Sequence, residues 1–336
     1  MAAPQAKRIK LDPDPKQPII FTTPDMRPDV GLQVFNQQFH VYSGVLKIHS
    51  GFFRKYLEPS FGLLPTSTSP TLSSEWFTKV DADGKSWSLT SDYKFRDADT
   101  SRFSGSMAIQ EEAIRKLLCA IFSRSYDIKN IYELQIMTKH ADYYCCLPIL
   151  SHSLAGPLYN SHGLVSTIGK APCATLVAAY RLRHKQLFND SFIQAMGPLK
   201  NPQYKQLKEP NLLRMAEVAY TKMCGEILKV HQGMLEIFAD ANTSFKDTGK
   251  AMVELADQAL DEKLTVVQPM YYRLCYDHAY KSSEGAKAVR KLLGPILKNN
   301  LVLNKSKVNS GEGHFDDYFL SYKIERYPWD DTQIDW

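Results

Sequence analysis

The side chains that could perform catalysis or bind a metal are scattered through this sequence. It has nine histidines and six cysteines, and none of the cysteines forms a Cys-x-x-Cys pair. Phosphate-binding Gly-x-x-x-x-Gly-Lys, nucleophile-elbow Gly-x-Ser-x-Gly and zinc-binding His-Glu-x-x-His patterns are missing. His140, next to Ala141-Asp142, is better explained as a helix residue than as a base. We therefore predict a protein without enzymatic activity, cofactor or metal. The alternative is a catalytic site assembled from residues distant in sequence.

The cysteines lie mostly within apolar, periodic segments. Buried free cysteine behaves as a small hydrophobic residue. We interpret all six as reduced core thiols rather than as metal ligands or redox groups: Cys119, Cys145, Cys146, Cys173, Cys224 and Cys275.

Three cations in four positions mark the N-terminal segment. Residues 1–20 contain several prolines and no apolar periodicity, which predicts a disordered tail. Within residues 6–12, Lys7, Arg8 and Lys10 form a short basic strip that resembles a monopartite nuclear import signal of the K-R-x-K class. This resemblance implies binding to an importin and a nuclear or nucleocytoplasmic location. The alternative is a solvated basic tail.

Composition sets the broad class. The chain has 336 residues, enough for two domains, and 44% of them are hydrophobic. The net charge of +5 is small and the charges are interspersed, so charge does not indicate nucleic-acid binding. No run of about 18 apolar residues and no apolar secretory segment is found. We expect a soluble intracellular protein that does not enter a membrane.

Alternating apolar residues between positions 29 and 42 predict two half-buried strands joined by a polar turn at 36–38. Two short helices follow, the second with Phe52, Phe53 and Tyr56 on an apolar face. A Pro/Ser/Thr-rich stretch leads us to treat residues 59–85 as a surface insertion. Beyond it, patterning predicts a third strand near Trp87, helices at 109–122 and 131–144, and short helical pieces at 147–158.

This order of elements, with residues at matching positions, resembles the BTB/POZ fold over residues 28–158. The matching residues are Asp29, Phe39, His40, Leu46, Ser50, Phe53, Ala141, Asp142 and Tyr143. The A-D-Y-Y-C-x-L-P segment and the C-terminal P-W-D-D-T-Q-x-D-W most resemble filamentous-fungal members. The fold class implied is α+β: a small sheet with surrounding helices, followed by an all-helical domain.

The resemblance implies a protein-interaction module that commonly forms a homodimer through its first helix and strand. By the same resemblance, Leu46, Phe53 and Tyr143 are core positions that identify the fold without locating a binding site. Members that bind cullin ubiquitin-ligase scaffolds carry an apolar-x-acidic motif where this chain has Phe61-Gly62-Leu63. A missing carboxylate weakens that contact. A cullin substrate adaptor is therefore the alternative to a scaffold that self-associates and recruits partners.

The second half is helical by pattern, over residues 163–300. One helix is predicted through Leu176 and Phe188, with Arg181, Arg183 and Lys185 toward solvent. We interpret this basic run as a solvated face or a source of ion pairs within the domain. The alternative is direct nucleic-acid binding.

The longest helix is predicted from Pro210 to Ile237, as a core helix in preference to a coiled-coil seam. Further helices are predicted at 251–260, 267–280 and 285–293, the last ended by Gly294-Pro295. Residues 301–336 form an acidic C-terminal tail. Its tryptophans, Trp329 and Trp336, are expected to dock back on the domain; the alternative is that they bind a partner.

Overall fold

The computed structural model describes residues 16–22, 24–58, 72–239, 250, 253–254, 257, 267–279, 284–303, 308–333 and 336. They form a mixed α+β protein of two compact units. The first comprises residues 1–126 and 139–150, and the second comprises 127–138 and 151–336. Among the described residues, no helix is both long and apolar enough to cross a membrane.

A five-stranded sheet forms the centre of the first unit. Its strands are β1 (Ile19–Ile20), β2 (Val30–Val34), β3 (Gln37–Val41), β4 (Ser74–Val80) and β5 (Trp87–Thr90), in the spatial order β1-β3-β2-β4-β5. The predicted β2–β3 hairpin is confirmed, with Leu32 opposite Phe39. Its turn is shorter than predicted, because Gln37 and Gln38 belong to β3 and only Phe35 and Asn36 connect the strands. Phe35 has a positive φ of 47°.

The interpretation of residues 59–85 as a surface insertion is wrong for β4. This strand pairs parallel to β2 and antiparallel to β5, so it is internal to the sheet. Its first five residues are buried. The hydroxyl of the buried Thr78 accepts a hydrogen bond from the Phe35 backbone N–H and donates one to the Gln33 carbonyl, both at 2.8 Å. Because both bonds are formed, burial of this polar group costs little free energy. Residues 59–71 lie outside the described residues.

Five α-helices of the described residues lie wholly or partly in the first unit. They are α1 (Ser43–His49), α2 (Gly51–Tyr56), α3 (Met107–Ile121), α4 (Ile131–Tyr143) and α5 (Leu147–Ser153). The predicted helices around 109–122 and 131–144 are confirmed to within two residues. Side chains of β2, β5, α2 and α3 surround a core cavity of about 20 Å³, lined by Leu32, Phe53, Leu89, Ile114, Leu117, Leu118, Ile121, Tyr144 and Cys146.

The second unit is built from helices over its described residues. Besides the beginning of α4 and the end of α5, these are α6 (Ala155–Asn160), α7 (His162–Ile168), α8 (Pro172–Arg181), α9 (Lys185–Ala195), α10 (Pro210–Ala239), α11 (Gln268–His278) and α12 (Glu284–Leu297). The long helix predicted from Pro210 is confirmed, as is the helix near 267–280. The helix predicted at 251–260 lies largely outside the described residues.

Two predicted boundaries in this unit are wrong. A single helix does not run from Leu176 to Phe188, because the chain turns between α8 and α9, where Arg183 has a φ of 50°. His184 caps the N-terminus of α9, because its Nδ1 atom accepts a hydrogen bond from the Leu187 backbone N–H. Gly294-Pro295 does not end α12, which continues to Leu297. Proline in the last turn removes only one backbone hydrogen bond, and burial of the following Leu297 side chain favours the extra turn.

The C-terminal segment belongs to the second unit. Ile193 of α9 packs with Phe315 and Leu320 in a buried cluster, and partly buried apolar side chains surround it: Leu301, Val308, Tyr318 and Tyr322. Asn300 joins the same region to Leu320 through a backbone hydrogen bond of 3.0 Å. Much of the segment that the sequence indicated as a tail is therefore part of a folded core.

Candidate protein-interaction surfaces

Asp29 joins the start of the hairpin to the first helix. Its carboxylate accepts hydrogen bonds from the backbone N–H of Ser43 at 2.7 Å and from the Ser43 hydroxyl at 2.6 Å. Ser43 is the first residue of α1, where a negative charge is favourable to the helix dipole. The carboxylate thus holds β2 and α1 together, which is a structural role.

Ser50 connects α2 to the end of α4. Its hydroxyl accepts from the Phe53 N–H at 3.1 Å, which caps α2, and donates to the Tyr144 carbonyl at 2.6 Å. The Phe53 ring stacks on the Tyr144 ring with centroids 5.6 Å apart. The Tyr144 hydroxyl in turn accepts from the Leu89 N–H of β5, and burial raises the pKa of Tyr144. Three elements therefore meet at Tyr144, the second tyrosine of the A-D-Y-Y-C-x-L-P segment.

Four further residues of the set that carries the family resemblance are buried or partly buried in the first unit. Phe39, Leu46 and Ala141 are fully buried. His40 is half-buried on β3, and its Nε2 atom has no hydrogen-bond partner among the described residues. Burial lowers the pKa of His40, while the nearby Glu75 carboxylate opposes that shift. These positions specify the fold and do not form a catalytic arrangement with one another.

Tyr143 was predicted to be a core residue, and this is wrong. It is 52% exposed, whereas the adjacent Tyr144 is buried. Successive residues of a helix point about 100° apart, so only one of the two tyrosines can face the core. Asp142 is also exposed.

The exposed ring of Tyr143 belongs to a surface that we call the aromatic face: Phe52, Tyr56 and Tyr143. Phe52 lies at its centre, with ring centroids 4.7 Å from Tyr56 and 5.8 Å from Tyr143. Beneath it, Phe52 also contacts the buried rings of Trp76 and Tyr144 at 5.7 and 5.2 Å. The face is therefore an accessible group of rings on a rigid aromatic base.

One basic group borders the aromatic face, and backbone contacts tie α2 to its neighbours. Lys55 lies over the Tyr56 ring, 5.4 Å from its centroid. The Arg54 guanidinium donates to the Lys47 carbonyl at 3.0 Å, which ties α2 to the end of α1. Cys145 is exposed, and its carbonyl accepts from the Gly51 N–H at 3.0 Å. The prediction of six core thiols is thus wrong for Cys145, which leaves the helix with a positive φ of 50°.

His140 lies on α4, as predicted, and its side chain is partly buried. Its Nε2 lies 2.8 Å from Gln110 Oε1, which also accepts from the Trp87 indole N–H at 3.1 Å. Burial lowers the pKa of His140 to about 4. The imidazole is therefore neutral at physiological pH and serves as a hydrogen-bonding group.

The basic residues between α8 and α9 contact the C-terminal segment. Arg183 donates to the Asp330 carbonyl at 3.0 Å and to Gln333 Oε1 at 2.6 Å. Lys185 forms an ion pair of 2.9 Å with Asp331. The two residues thus take part in contacts within the unit.

Other predicted site residues lie outside the described residues. This applies to Lys7, Arg8 and Lys10 of the basic tail and to the Phe61-Gly62-Leu63 segment. Within the described ranges, no group of three or more His, Cys, Asp or Glu side chains is arranged to hold a metal ion.

Comparison with known proteins adds no assignment. No family model, no curated protein and no solved structure matches this chain.

Proposed function

We propose that this chain is a non-enzymatic protein-interaction protein whose first unit is a BTB/POZ-type domain. The proposal is supported by the way in which the motif residues come together. Asp29 holds α1 and Ser50 caps α2, while Phe53 stacks on the tyrosine that follows α4. Residues separated by about 90 positions thus join the hairpin, the helical pair and the late helix in one structure.

The aromatic face is the observation that carries the interaction function. Partly exposed aromatic rings on a rigid base resemble the anchors that dominate binding energy in protein interfaces. Tyrosine suits this role because its ring buries a large area while its hydroxyl can still form a hydrogen bond. Lys55, whose Nζ lies 5.4 Å from the Tyr56 ring centroid, favours a partner with an acidic group beside an apolar centre.

The partner test uses tagged full-length protein recovered from its own cells and analysed by quantitative mass spectrometry. Tyr143→Ser is compared with Tyr132→Ser, since both tyrosines lie on α4 and both are more than half exposed. We expect Tyr143→Ser alone to reduce recovery of the main partners, by at least about tenfold, the effect of a lost 1.4 kcal/mol. Equal recovery with both variants would show that the aromatic face is not the binding surface.

Self-association is proposed through the first strand and first helix. Ile20 of β1 is 49% exposed and Ile48 of α1 is 68% exposed, so each offers apolar surface to a second copy. Light scattering should give twice the chain mass of 38.2 kDa. Ile48→Asp should yield the monomer mass, whereas the half-exposed control Ile109→Asp on α3 should not. A monomer for the unaltered protein would reject this part of the proposal.

The cullin-adaptor alternative places the aromatic face against a cullin. It predicts that cullin and ring-finger subunits are recovered with the protein despite the Phe61-Gly62-Leu63 segment.

Nuclear location is proposed from the basic strip. Combined replacement of Lys7, Arg8 and Lys10 by alanine should move a fluorescent fusion of the full chain out of the nucleus. Unchanged nuclear fluorescence would reject the import signal.

A further inference from the structure

The C-terminal residues 327–333 and Trp336 lie against a basic turn of the second unit. We call residues 181–185, which link α8 to α9, the basic turn. The Arg183 guanidinium donates to the Asp330 carbonyl and the Gln333 side chain, and it lies 4.6 Å from the centroid of the Trp336 ring. One arginine therefore binds the segment through hydrogen bonds and through the face of an indole.

A second basic residue engages the acidic part of the segment. Lys185 Nζ lies 2.9 Å from Asp331 Oδ2, and the Trp329 indole N–H donates to the other oxygen of the same carboxylate at 2.9 Å. These hydrogen bonds lower the pKa of Asp331 and raise the pKa of Lys185. The turn thus recognises negative charge at a defined position between two tryptophans.

The two tryptophans supply the apolar contacts. The Trp329 ring meets the Phe188 ring of α9 edge to face, at 5.0 Å and 87°, and it stacks on Tyr327 at 4.9 Å. The Trp336 indole N–H donates to the Arg181 carbonyl at 3.1 Å. Arg181 is the last residue of α8, so the indole satisfies a carbonyl at a helix end.

Most of these contacts are open to solvent. Asp330, Asp331 and Gln333 are exposed, as is Lys185. Exposed ion pairs are individually weak and are screened by salt. The segment is therefore held by several modest contacts around two aromatic anchors, so another peptide with the same groups can compete for the turn.

We propose that the basic turn, with Phe188, is a binding site for acidic, tryptophan-bearing peptide segments of a partner protein, and that residues 327–333 and Trp336 occupy this site within the chain. The chain's own segment shows which groups complement the site: a carboxylate at Lys185, an indole over Arg183 and an indole against Phe188. A partner with these groups displaces the chain's own segment and gains the same contacts. This site is independent of the aromatic face and of the BTB/POZ assignment.

The test measures binding of a fluorescent peptide with the sequence of residues 325–336 to full-length protein. In one variant, Trp336→Ala with Asp331→Asn weakens the resident segment while the turn is retained. We expect this variant to bind the peptide at least about tenfold more tightly than the unaltered protein, because the resident competitor is weakened. Adding Arg183→Ala should remove the gain, whereas adding Lys205→Ala, at another exposed lysine of the unit, should preserve it.

The remaining outcomes each bear on the proposal. Equal binding by the unaltered and weakened proteins would overturn it, as would failure of Arg183→Ala to reduce binding. A peptide with both tryptophans replaced by alanine should not bind. If a single-stranded oligonucleotide displaces the peptide as effectively as unlabelled peptide does, the turn binds polyanions in general and the proposal is wrong. Thermal unfolding of every variant identifies any that fails to fold, and peptide alanine variants then provide the test with unaltered turn residues.

Discussion

Asp190 holds the chain that follows α12 against α9, and its replacement by asparagine tests the packing of the second unit. The residue is 1% exposed. Its Oδ1 accepts from the Val302 N–H at 2.7 Å and its Oδ2 accepts from the Leu303 N–H at 2.8 Å. The Asn189 side-chain amide donates to Oδ1 as well, at 3.1 Å. A buried carboxylate with these donors stabilises the return of the chain.

Asp190→Asn keeps the shape of the side chain and removes one acceptor. One backbone N–H then faces an amide NH₂ group, and a buried donor without a partner costs roughly 1–3 kcal/mol. The other bond loses its charge assistance, about 1 kcal/mol more. The smaller desolvation cost of the neutral amide offsets part of this loss. We expect a net destabilisation of about 2 kcal/mol, equivalent to roughly a 30-fold increase in local opening.

The measurement is guanidinium unfolding followed by tryptophan fluorescence, together with hydrogen exchange at the amides of Val302 and Leu303. Both amides should lose protection in Asp190→Asn. Glu217→Gln removes the same charge from an exposed position on α10 and should change the free energy of unfolding by less than about 0.5 kcal/mol. Unchanged exchange at both amides would refute the role assigned to the carboxylate.

Three further predictions concern single side chains. Burial lowers the pKa of His184 to about 4, whereas its pKa in an unfolded chain is about 6.5. Between these two pH values the unfolded state binds the proton and the folded state does not. The free energy of unfolding therefore falls as the pH drops from about 6.5 to 4. His184→Asn, which can still cap α9, should reduce the difference in unfolding free energy between pH 7 and pH 4.5 by about 2 kcal/mol. An unchanged difference between the unfolding curves at these two pH values would contradict this prediction. Native alkylation read by mass spectrometry should label exposed Cys145 well before Cys146, whose pKa burial raises; equal rates would count against the exposure. Tyr144→Phe leaves the Leu89 N–H without its acceptor and should lower the unfolding free energy by about 1–3 kcal/mol, whereas a change under about 0.5 kcal/mol would show that this bond contributes little.

The missed strand β4 shows where sequence patterning reaches its limit. Ser74 and Glu75 precede Trp76 and Phe77 there, and Thr78 follows, so polar and apolar residues do not alternate; the preceding Pro/Ser/Thr-rich stretch indicates a loop. The strand is buried because its partners are β2 and β5, and because Thr78 bonds to residues more than 40 positions away. Local periodicity contains no information on such partners.

The aromatic face was only partly predictable. An apolar face on α2 with Phe52 and Tyr56 follows from helical spacing. Helical spacing does not predict that Tyr143 rather than Tyr144 lies at the surface, because the two neighbouring tyrosines are chemically alike. The choice between them was decided by stacking of Phe53 and by the hydrogen bond from β5, both of which select Tyr144 for the interior.

The sequence by itself determined the β2–β3 hairpin and the helices α3, α4, α10 and α11. These follow from apolar periodicity and from capping residues, which act over a few neighbouring residues. The tertiary structure alone decided the position of β4, the extension of α12 through Pro295, and the contact between the basic turn and Trp336. In each case the stabilising partner is distant in sequence, so the outcome depends on which buried polar groups and apolar faces find one another when the chain folds.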